Sequence, residues 1–466
     1  MSLSIEQKDE LRRILQAQRS FFAGGKTRSL NFRRTQLKQL KDNLSAASDD
    51  ISAALKADLG KCGLEAYGTE ILPTLGEIDY ALKHLHRWCR PRRVSVPLGL
   101  QPASARVVPE PLGVVLIISP WNYPFLLAMG PLVSAIAAGN CAVVKPSEIA
   151  PHTSALVAKL VANTFAPQYV TAIEGDAAAA QALLAESFDH IFFTGSPAIG
   201  KVVMRAAADH LTPVTLELGG KSPCVVTANA DIAVAARRIV WGKCINAGQS
   251  CIAPDYLLVQ QSIKEKLLEA IAQTTLDFFT EDMVESPDYG RIVSNHHFQR
   301  LQTLMRDALA KGEKVIGGQS DASTRFMALT VIDQIPPTAK VMQEEIFGPI
   351  LPVLTYEDLT EAIAFVNQRP KPLALYLFST DVAERQAVQA QTSSGSLCFN
   401  ETMTQYAVQD LPFGGIGQSG MGSAHGKAGF DTFSHFKSVL KKSNWLDIPL
   451  RYPPYRGKLT LLKKML

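Results

Sequence analysis

Three side chains with the chemistry of a covalent catalyst stand at breaks between apolar runs: Asn122, Glu217 and Cys251. Cys251 lies in INAGQSCIAPD, where the Asn-Ala-Gly stretch should end the preceding helix and expose the thiol, as a nucleophile requires. Glu217 precedes two glycines in ELGGK, and a carboxylate at the edge of an apolar strand has a raised pKa suited to a general base. Asn122 lies between two prolines in PWNYP, and its amide could donate to an oxyanion.

Each of these residues taken alone has a simpler structural interpretation. Cysteine is among the most frequently buried residue types, a turn asparagine often bonds its own backbone, and a glutamate in this position can be one half of an ion pair. Only the combination of thiol, amide and carboxylate favours catalysis. The nine histidines are scattered and the seven cysteines form no C-x-x-C pair, so the sequence predicts no metal site.

Two further breaks carry residues that could hold a nucleotide. In KPSE, Lys145 and Glu148 follow a strand candidate and precede a helix, where they could bind ribose hydroxyls; a solvated salt bridge is an equal alternative. In TGSPAIG, Gly195 and Gly200 belong to a strand-to-helix turn whose backbone N–H groups could face a phosphate. This turn differs from the G-x-G-x-x-G fingerprint, so by itself it is weak evidence.

The hydrophobic pattern predicts the elements that must position these residues. Residues 112–218 alternate β-rich runs (VVLIIS, CAVVKP, VTAIEG, HIFFTG, PVTLEL) with segments of helical periodicity, as a parallel doubly wound sheet requires. A second series runs from PCVVTA through DYLLVQQ and ALYLFST to SGSLCFN. We predict an α/β fold with two doubly wound parallel-sheet domains, the first of them Rossmann-like, and a ligand site in the cleft between them.

Composition and charge narrow the class of protein. The chain has 47% hydrophobic and 19% charged residues and a net charge of +4, which is ordinary for a globular protein. No basic stripe is interleaved with aromatic residues, so nucleic acid is not a predicted partner. Sparse cysteines and a start without a signal-peptide pattern predict a cytoplasmic protein. The end, RGKLTLLKKML, combines four cations with leucines, which is compatible with peripheral membrane contact.

The chain resembles the aldehyde dehydrogenase superfamily from about residue 20 to 440, in motifs that occur in the family's order and spacing: PWNYP, VVKPSE, FTGSPAIG, LELGGKSP, GQSC, EEIFGP and LPFGGIGQSGMG. The chain length, the tyrosine of PWNYP and the stretch HGKAGFDTFSHFKS are similar to the class 3 branch. That branch includes fatty aldehyde dehydrogenases and microbial enzymes that oxidise apocarotenals. The resemblance implies a homodimer that oxidises a hydrophobic aldehyde, long-chain aliphatic or apocarotenal, to the carboxylic acid with NAD(P).

The resemblance implies a role for each catalytic candidate. Cys251 would attack the aldehyde carbon to give a thiohemiacetal, and Asn122 with the backbone N–H of Cys251 would form the oxyanion hole. Hydride transfer would leave a thioester, which water deprotonated by Glu217 would hydrolyse. Tyr123 would line the substrate pocket. Ser250 replaces the threonine or valine that often precedes the nucleophile, and this departure leaves the mechanism intact.

The resemblance also places ten residues at the cofactor. Lys145 and Glu148 match the adenosine-ribose positions, and the turn Gly195–Gly200 matches the phosphate position. Glu345 and Phe347 match the contact with the nicotinamide ribose. The whole set is Trp121, Lys145, Glu148, Thr194, Gly195, Ser196, Gly200, Leu218, Glu345 and Phe347. A carboxylate at position 148 disfavours a 2′-phosphate by charge, so NAD is predicted, with NADP as the alternative cofactor.

Two detached β-prone segments, RPRRVSVPLGLQPASARVV and SHFKSVLKKS, complete the domain prediction. Detached strands of this kind commonly form a subunit contact, so they predict a small oligomerisation element. The predicted boundaries are 1–88 and 109–214 for the NAD-binding domain, 215–410 for the catalytic domain, 89–108 and 411–445 for the oligomerisation element, and 446–466 for a C-terminal tail.

Two alternatives stay open at this point. A CoA-acylating relative would pass the acyl group to a thiol instead of water, and such relatives commonly lack the carboxylate that Glu217 supplies here. A non-catalytic binding or structural homologue would be expected to have lost Cys251, Asn122 or Glu217, and none of the three is lost.

Overall fold

The computed structural model describes residues 5–463, in which helices and strands alternate along most of the chain. The helices are α1 (Ile5–Ala23), α2 (Leu30–Ala46), α3 (Ser48–Leu59), α4 (Gly63–Ala66), α5 (Leu72–Trp88), α6 (Leu126–Ala138), α7 (Pro151–Thr164), α8 (Ala177–Leu184), α9 (Pro197–Ala208), α10 (Ile232–Cys244), α11 (Lys264–Phe279), α12 (Asn295–Leu309), α13 (Lys340–Gln343), α14 (Leu359–Asn367), α15 (Val382–Gln391), α16 (Gly426–Thr432) and α17 (Lys458–Lys463). The first four residues of the predicted NAD-binding domain and residues 464–466 of the predicted tail lie outside the described residues.

The strands of the described chain form three larger sheets and one two-stranded ribbon. They are β1 (Arg92–Val94), β2 (Ala103–Pro111), β3 (Val114–Ile118), β4 (Cys141–Lys145), β5 (Val170–Ala172), β6 (His190–Thr194), β7 (Val214–Glu217), β8 (Pro223–Val226), β9 (Tyr256–Gln260), β10 (Glu313–Ile316), β11 (Ser320–Asp321), β12 (Phe326–Met327), β13 (Thr330–Asp333), β14 (Ile350–Tyr356), β15 (Ala374–Phe378), β16 (Ser396–Phe399), β17 (Gly420–Met421) and β18 (Ser434–Lys442). All nine strands predicted for the two parallel series are present among them.

The first sheet has the order β17-β7-β6-β3-β4-β5, and every pair is parallel except β17 with β7. The chain lays down β3, β4 and β5 toward one side and then returns to place β6 beside β3. This reversal between β3 and β6 opens a crevice at the carboxyl ends of both strands, where ligands of open α/β sheets bind. The predicted doubly wound fold is confirmed, with one antiparallel edge strand added.

The second sheet has the order β10-β13-β14-β9-β8-β15-β16, with β10 as an antiparallel edge. The sequence pattern predicted β8, β9, β15 and β16 but missed β13 and β14. Pro352 interrupts the β14 pattern, because proline has no N–H to donate and is rare inside sheets. In the structure Pro352 lies opposite Ile332 of β13, and the pairing with β9 starts one residue later, at Val353.

Helix α1 contacts β3 and β4 of the first sheet, whereas α2, α3 and α5 pack on α6 and α7, the helices that cover this sheet. Leu37, Leu40 and Leu44 of α2 are fully buried in the same hydrophobic cluster as β3 and β4. The long apolar tract that begins with β3 continues as a turn and then as the buried helix α6. Within residues 5–463, no helix has the length and apolar character needed to cross a bilayer.

The predicted detached strands pair with each other in a separate antiparallel sheet of order β1-β2-β18. Strands β2 and β18 come from distant parts of the chain and pair over their full length, from Ala103 opposite Lys442 to Pro111 opposite Ser434. The outer edge of β18 has no strand beside it among the described residues. A long free edge of this kind is suited to pairing with a second chain.

Candidate active site

The thiol of Cys251 lies on a tightly bent loop between α10 and β9. After α10 the backbone takes left-handed conformations at Asn246, Ala247 and Gly248, with φ of 52°, 50° and 72°. Residues other than glycine rarely adopt this conformation, and such strain concentrates at functional sites. A Cβ at Gly248 would lie 2.6 Å from a carbonyl oxygen of the facing loop, so only glycine fits there. Cys244, the last residue of α10, is buried, whereas Cys251 is half-buried.

Side-chain amides lock this loop against the turn that carries Asn122. The Nδ2 of Asn122 donates to the carbonyl oxygen of Gln249 at 3.1 Å, and the Nδ2 of Asn246 donates to the carbonyl oxygen of Asn122 at 2.7 Å. The side chain of Gln249 donates to the carbonyl oxygen of Arg291 at 2.9 Å and accepts from the N–H of Val293 at 3.0 Å. Hydrogen bonds therefore join the turn after β3 to the loop that precedes β9.

A buried ion pair that the sequence analysis missed supports the Asn122 turn. Lys61 and Glu70 are fully buried, and the Nζ of Lys61 lies 2.5 Å from Oε1 of Glu70. The other carboxylate oxygen of Glu70 accepts from the N–H groups of Phe125 and Leu126 at 2.9 and 3.2 Å. In the sequence the two residues look like charges on a helical surface, where solvated pairs are the default, so no local signal marked them.

The Glu217 carboxylate ends β7 in an apolar setting. Glu217 is 4% exposed, and neither carboxylate oxygen has a hydrogen-bond partner among the residues that the structure describes. Burial raises its pKa well above the ordinary value. Burial also raises the pKa of the Cys251 thiol, and the nearby carboxyl groups of Glu345 and Glu217 raise it further. Burial therefore disfavours the charged form of both the thiol and the carboxyl group.

Glu345 lies on a loop that a buried ion pair positions. Lys221 pairs with Asp255 and donates to the carbonyl oxygen of Glu344 at 3.0 Å, while Asp255 accepts from the N–H of Ile346 at 2.9 Å. Oε1 of Glu345 has no partner within the described part of the chain. Burial, followed by the charge of Asp255, raises the pKa of Glu345 to about 8. A buried carboxyl oxygen without a partner suits a ligand that carries hydroxyls.

The residues predicted to hold the adenosine and phosphates lie at the carboxyl ends of β4 and β6. Lys145 is buried at the end of β4, and its Nζ lies 2.7 Å from the carboxylate of Glu148. Ser196 caps α9, whose first-turn N–H groups form a ready site for a phosphate. A Cβ at Gly200 would lie 2.8 Å from Leu218, so glycine is needed for this close packing of α9.

Aromatic side chains occupy the side of the crevice that faces the second sheet. The ring of Trp121 lies perpendicular to that of Phe347, with 5.3 Å between centroids. Phe347 has a φ of 52°, a strained value for a bulky residue. A Cβ at Gly195 would lie 2.6 Å from the Phe193 ring. Glycine at this position leaves the backbone after Thr194 without a side chain, so a ligand can approach it closely. The N-terminus of α9, the glycine backbone at Gly195 and the unpaired Oε1 of Glu345 together fit a dinucleotide.

An apolar cavity beside Cys251 encloses about 1250 Å³, its mouth included. The predicted site residues in its wall are Cys251, Glu217, Tyr123, Thr194 and Leu218. Asn122 and the other predicted cofactor residues do not line it. Most of the remaining wall is apolar and includes Leu126, Leu127, Trp241, Met403 and Phe413. The structure therefore brings the thiol, the carboxyl group and the predicted pocket tyrosine to one apolar space.

The chain belongs to the aldehyde dehydrogenase family, whose family model matches residues 2–439. It is 47% identical over 445 residues to the 4,4'-diaponeurosporen-aldehyde dehydrogenase of Staphylococcus aureus, with 96% of each chain covered. It is 45% identical over 450 residues to the "aldehyde dehydrogenase, dimeric NADP-preferring" of Canis lupus familiaris, with 96% of this chain and 98% of the relative covered. A solved structure described as the substrate bound state of Staphylococcus aureus AldH matches with a TM-score of 0.95 at 46% identity, covering 99% of each chain.

These comparisons confirm the predicted fold and the predicted class of enzyme. The protein is an aldehyde dehydrogenase, an oxidoreductase that acts on the aldehyde group with NAD or NADP. The roles of the individual residues and the domain boundaries stay predictions.

The raised pKa of Cys251 predicts strongly pH-dependent alkylation. A thiol whose pKa is raised holds little thiolate below that pKa, so labelling of Cys251 by iodoacetamide in the cofactor-free enzyme should accelerate roughly tenfold per pH unit between about pH 7 and 9. Mass spectrometry of the peptide that contains Cys251 measures the rate, and Cys251→Ser confirms the assignment. A rate that is already constant above about pH 7 would contradict the raised pKa.

Proposed function

We propose that the enzyme oxidises a hydrophobic aldehyde, long-chain aliphatic or apocarotenal, to its carboxylic acid through a thioester on Cys251. The observation that carries this proposal is the apolar cavity, which presents the thiol and the Glu217 carboxyl group to one space with few other polar groups. Tyr123 lies in the wall beside them. The Staphylococcus aureus relative is named for a 4,4'-diaponeurosporen aldehyde, which supports the apocarotenal substrate.

In the first step the sulfur of Cys251 loses its proton to solvent and attacks the aldehyde carbon to form a thiohemiacetal, whose oxygen bears the negative charge. The Nδ2 group of Asn122 has two hydrogens, and only one is bound to the carbonyl oxygen of Gln249. The second hydrogen is free to donate to the oxyanion, together with the backbone N–H of Cys251.

In the second step the oxyanion collapses and leaves a thioester on Cys251. A nicotinamide cofactor held by Glu345 and the N-terminus of α9 would supply the hydride acceptor for this collapse. Glu217 then removes a proton from water, whose oxygen attacks the thioester carbon. The carboxylic acid leaves and the thiol is restored. A carboxyl group with a raised pKa is a stronger base once ionised, so the burial of Glu217 suits this step.

Two substitutions separate these steps, with aldehydes from short aliphatic through long-chain to apocarotenal as substrates. Cys251→Ala should lower NADH formation by more than about a thousandfold, because the nucleophile is lost. Glu217→Gln should keep a burst of NADH from the acylation step but slow the steady state by about a hundredfold or more, because water is no longer deprotonated. NADH absorbance after rapid mixing measures both phases.

Cys398→Ala, which removes another half-buried thiol, is the matched control and should keep activity. Near-wild-type turnover of Cys251→Ala would remove the thioester mechanism, and an unchanged steady state in Glu217→Gln would reject its role as base. Release of an acyl-CoA by the wild type would favour the CoA-acylating alternative. Absence of NADH with every aldehyde would favour the non-catalytic one.

We propose NAD as the preferred cofactor, although the canine relative is named NADP-preferring. Lys145 and Glu148 would hold the adenosine ribose, the N-terminus of α9 the phosphates, and Glu345 the nicotinamide ribose. The carboxylate of Glu148 pairs with Lys145 at the ribose position, and its charge repels a 2′-phosphate.

The preference should respond to the charge at position 148. Glu148→Gln keeps the size of the side chain and removes its charge, so kcat/KM for NADP should rise about tenfold while the value for NAD changes less. Initial rates with the two cofactors measure the ratio. A wild-type enzyme with a clear NADP preference would contradict the role of this carboxylate.

The β1-β2-β18 sheet supports a homodimer, as the name of the canine relative states for that protein. Phe436 and Leu440 of β18 are 40% and 60% exposed, and such residues can pack against a second copy.

The chain after β18 exposes apolar side chains among cations, with Trp445 87% exposed and Leu459 62% exposed. This composition favours peripheral contact with an anionic bilayer.

The seven free cysteines support a reducing compartment, the cytoplasm.

Removal of residues 446–466 should abolish the membrane contact of the tail and leave the dimer contact of β18 in place. Because β18 ends at Lys442, the truncated enzyme should stay dimeric in size-exclusion chromatography with light scattering. It should no longer sediment with vesicles of phosphatidylserine and phosphatidylcholine, as the full chain should. A monomeric full chain would contradict the dimer, and a full chain that does not sediment would contradict the membrane contact.

A further inference from the structure

A buried histidine in the cavity wall has no part in the mechanism above. His425 lines the same cavity as Cys251 and is 9% exposed. No group of the described residues lies within hydrogen-bonding distance of its Nδ1. Buried polar atoms in native proteins are nearly always paired. An unpaired one in the wall of a ligand cavity therefore points to a bond that a ligand completes.

Aromatic rings hold this imidazole in one orientation. It lies perpendicular to the ring of Tyr406, with 4.2 Å between centroids, and stacks on Phe413 at 5.3 Å. The backbone of His425 has a φ of 72°, a strained conformation for histidine. The ring cannot turn away without losing both contacts, so Nδ1 is positioned before any ligand binds.

Glu77 lies beside this histidine in the cavity wall. Its carboxylate accepts from the N–H of Gly426, the residue after His425, at 3.1 Å. Burial raises the pKa of Glu77 to about 7 and lowers that of His425 to about 4. The imidazole is therefore neutral at pH 7, and Glu77 is partly protonated. Together they offer hydrogen-bonding atoms and little net charge in a wall that is otherwise mostly apolar.

We propose that His425 and Glu77 form a subsite for a hydroxyl group of the substrate, remote from its aldehyde carbon. This inference rests on the proposed function, because it concerns the substrate of the same cavity. A neutral imidazole donates or accepts at Nδ1 according to its tautomer, and a hydroxyl does both, so it matches either tautomer. An ionised group would be poorly compensated in this wall. The substrate class is an apolar aldehyde that carries a hydroxyl.

Pairs of aldehydes with and without the hydroxyl test the subsite. Unsubstituted n-alkanals are compared with ω-hydroxyalkanals of the same length, from short to long chains, by kcat/KM for NADH formation. At the length that spans the distance from the thiol to Nδ1, the hydroxyl should raise kcat/KM about three- to tenfold, the effect of one hydrogen bond. At other lengths it should lower kcat/KM, because an unpaired hydroxyl enters an apolar wall.

His425→Phe keeps an aromatic ring and removes the nitrogen. It should abolish the gain from the hydroxyl, which is the ratio of kcat/KM for each ω-hydroxyalkanal to kcat/KM for the n-alkanal of the same length. Because both series meet the same altered wall, a general change in activity cancels in this ratio. Phe413→Leu is the matched control: it alters the same part of the wall without removing a hydrogen-bonding atom, so both series should change together.

The wild-type comparison needs no variant, so the subsite can be refuted even if His425→Phe does not fold. Oxidation of both series without a gain at any length, or a gain that persists in His425→Phe, overturns the subsite and leaves the proposed function intact. Oxidation of neither series overturns the proposed function and the subsite that rests on it.

Discussion

The hydrogen bonds between the Asn122 turn and the Cys251 loop are the constraint on which the rest of the site depends. They join the carboxyl end of the first sheet to the segment that begins β9 in the second, so both sheets present their chemistry to one cleft. Glu70 holds the turn from the side of α4 and α5. Because these groups are buried, removing any one partner leaves another unpaired, which costs about 1–3 kcal/mol. The geometry is therefore maintained without help from a ligand.

Burial also sets the acid–base properties of this cleft. Burial is the main cause of the raised pKa of Cys251, Glu217 and Glu345, and the two carboxyl groups raise the pKa of the Cys251 thiol further. Low polarity disfavours more than one charge at a time. An apolar cavity that admits a hydrophobic aldehyde thus also keeps the thiol protonated until a base can take its proton.

The parts of the fold that could be predicted were those with local signals. Apolar periodicity and the positions of proline and glycine predicted the nine strands of the two series and the turn after β3, and the structure contains all of these elements. Strand β14 was missed because Pro352 breaks its pattern. In the sheet Pro352, which has no N–H to donate, still lies opposite Ile332 of β13. The pair Lys61 and Glu70 was missed because nothing in its own segment shows that it is covered. The orientation of His425 depends on Tyr406 and Phe413, which lie elsewhere along the chain.

The sequence by itself determined the class of enzyme and the candidate thiol, amide and carboxylate. The reason is that the motifs that resemble the family, with their order and spacing, can be read without knowing any contact between distant residues. Only the tertiary structure decided which polar groups are paired and which are left free in the cavity. Asn122 has one amide hydrogen bound and one available, and Nδ1 of His425 has no partner among the described residues. The physical reason is that burial and pairing arise from contacts between residues distant in sequence, which local periodicity does not encode.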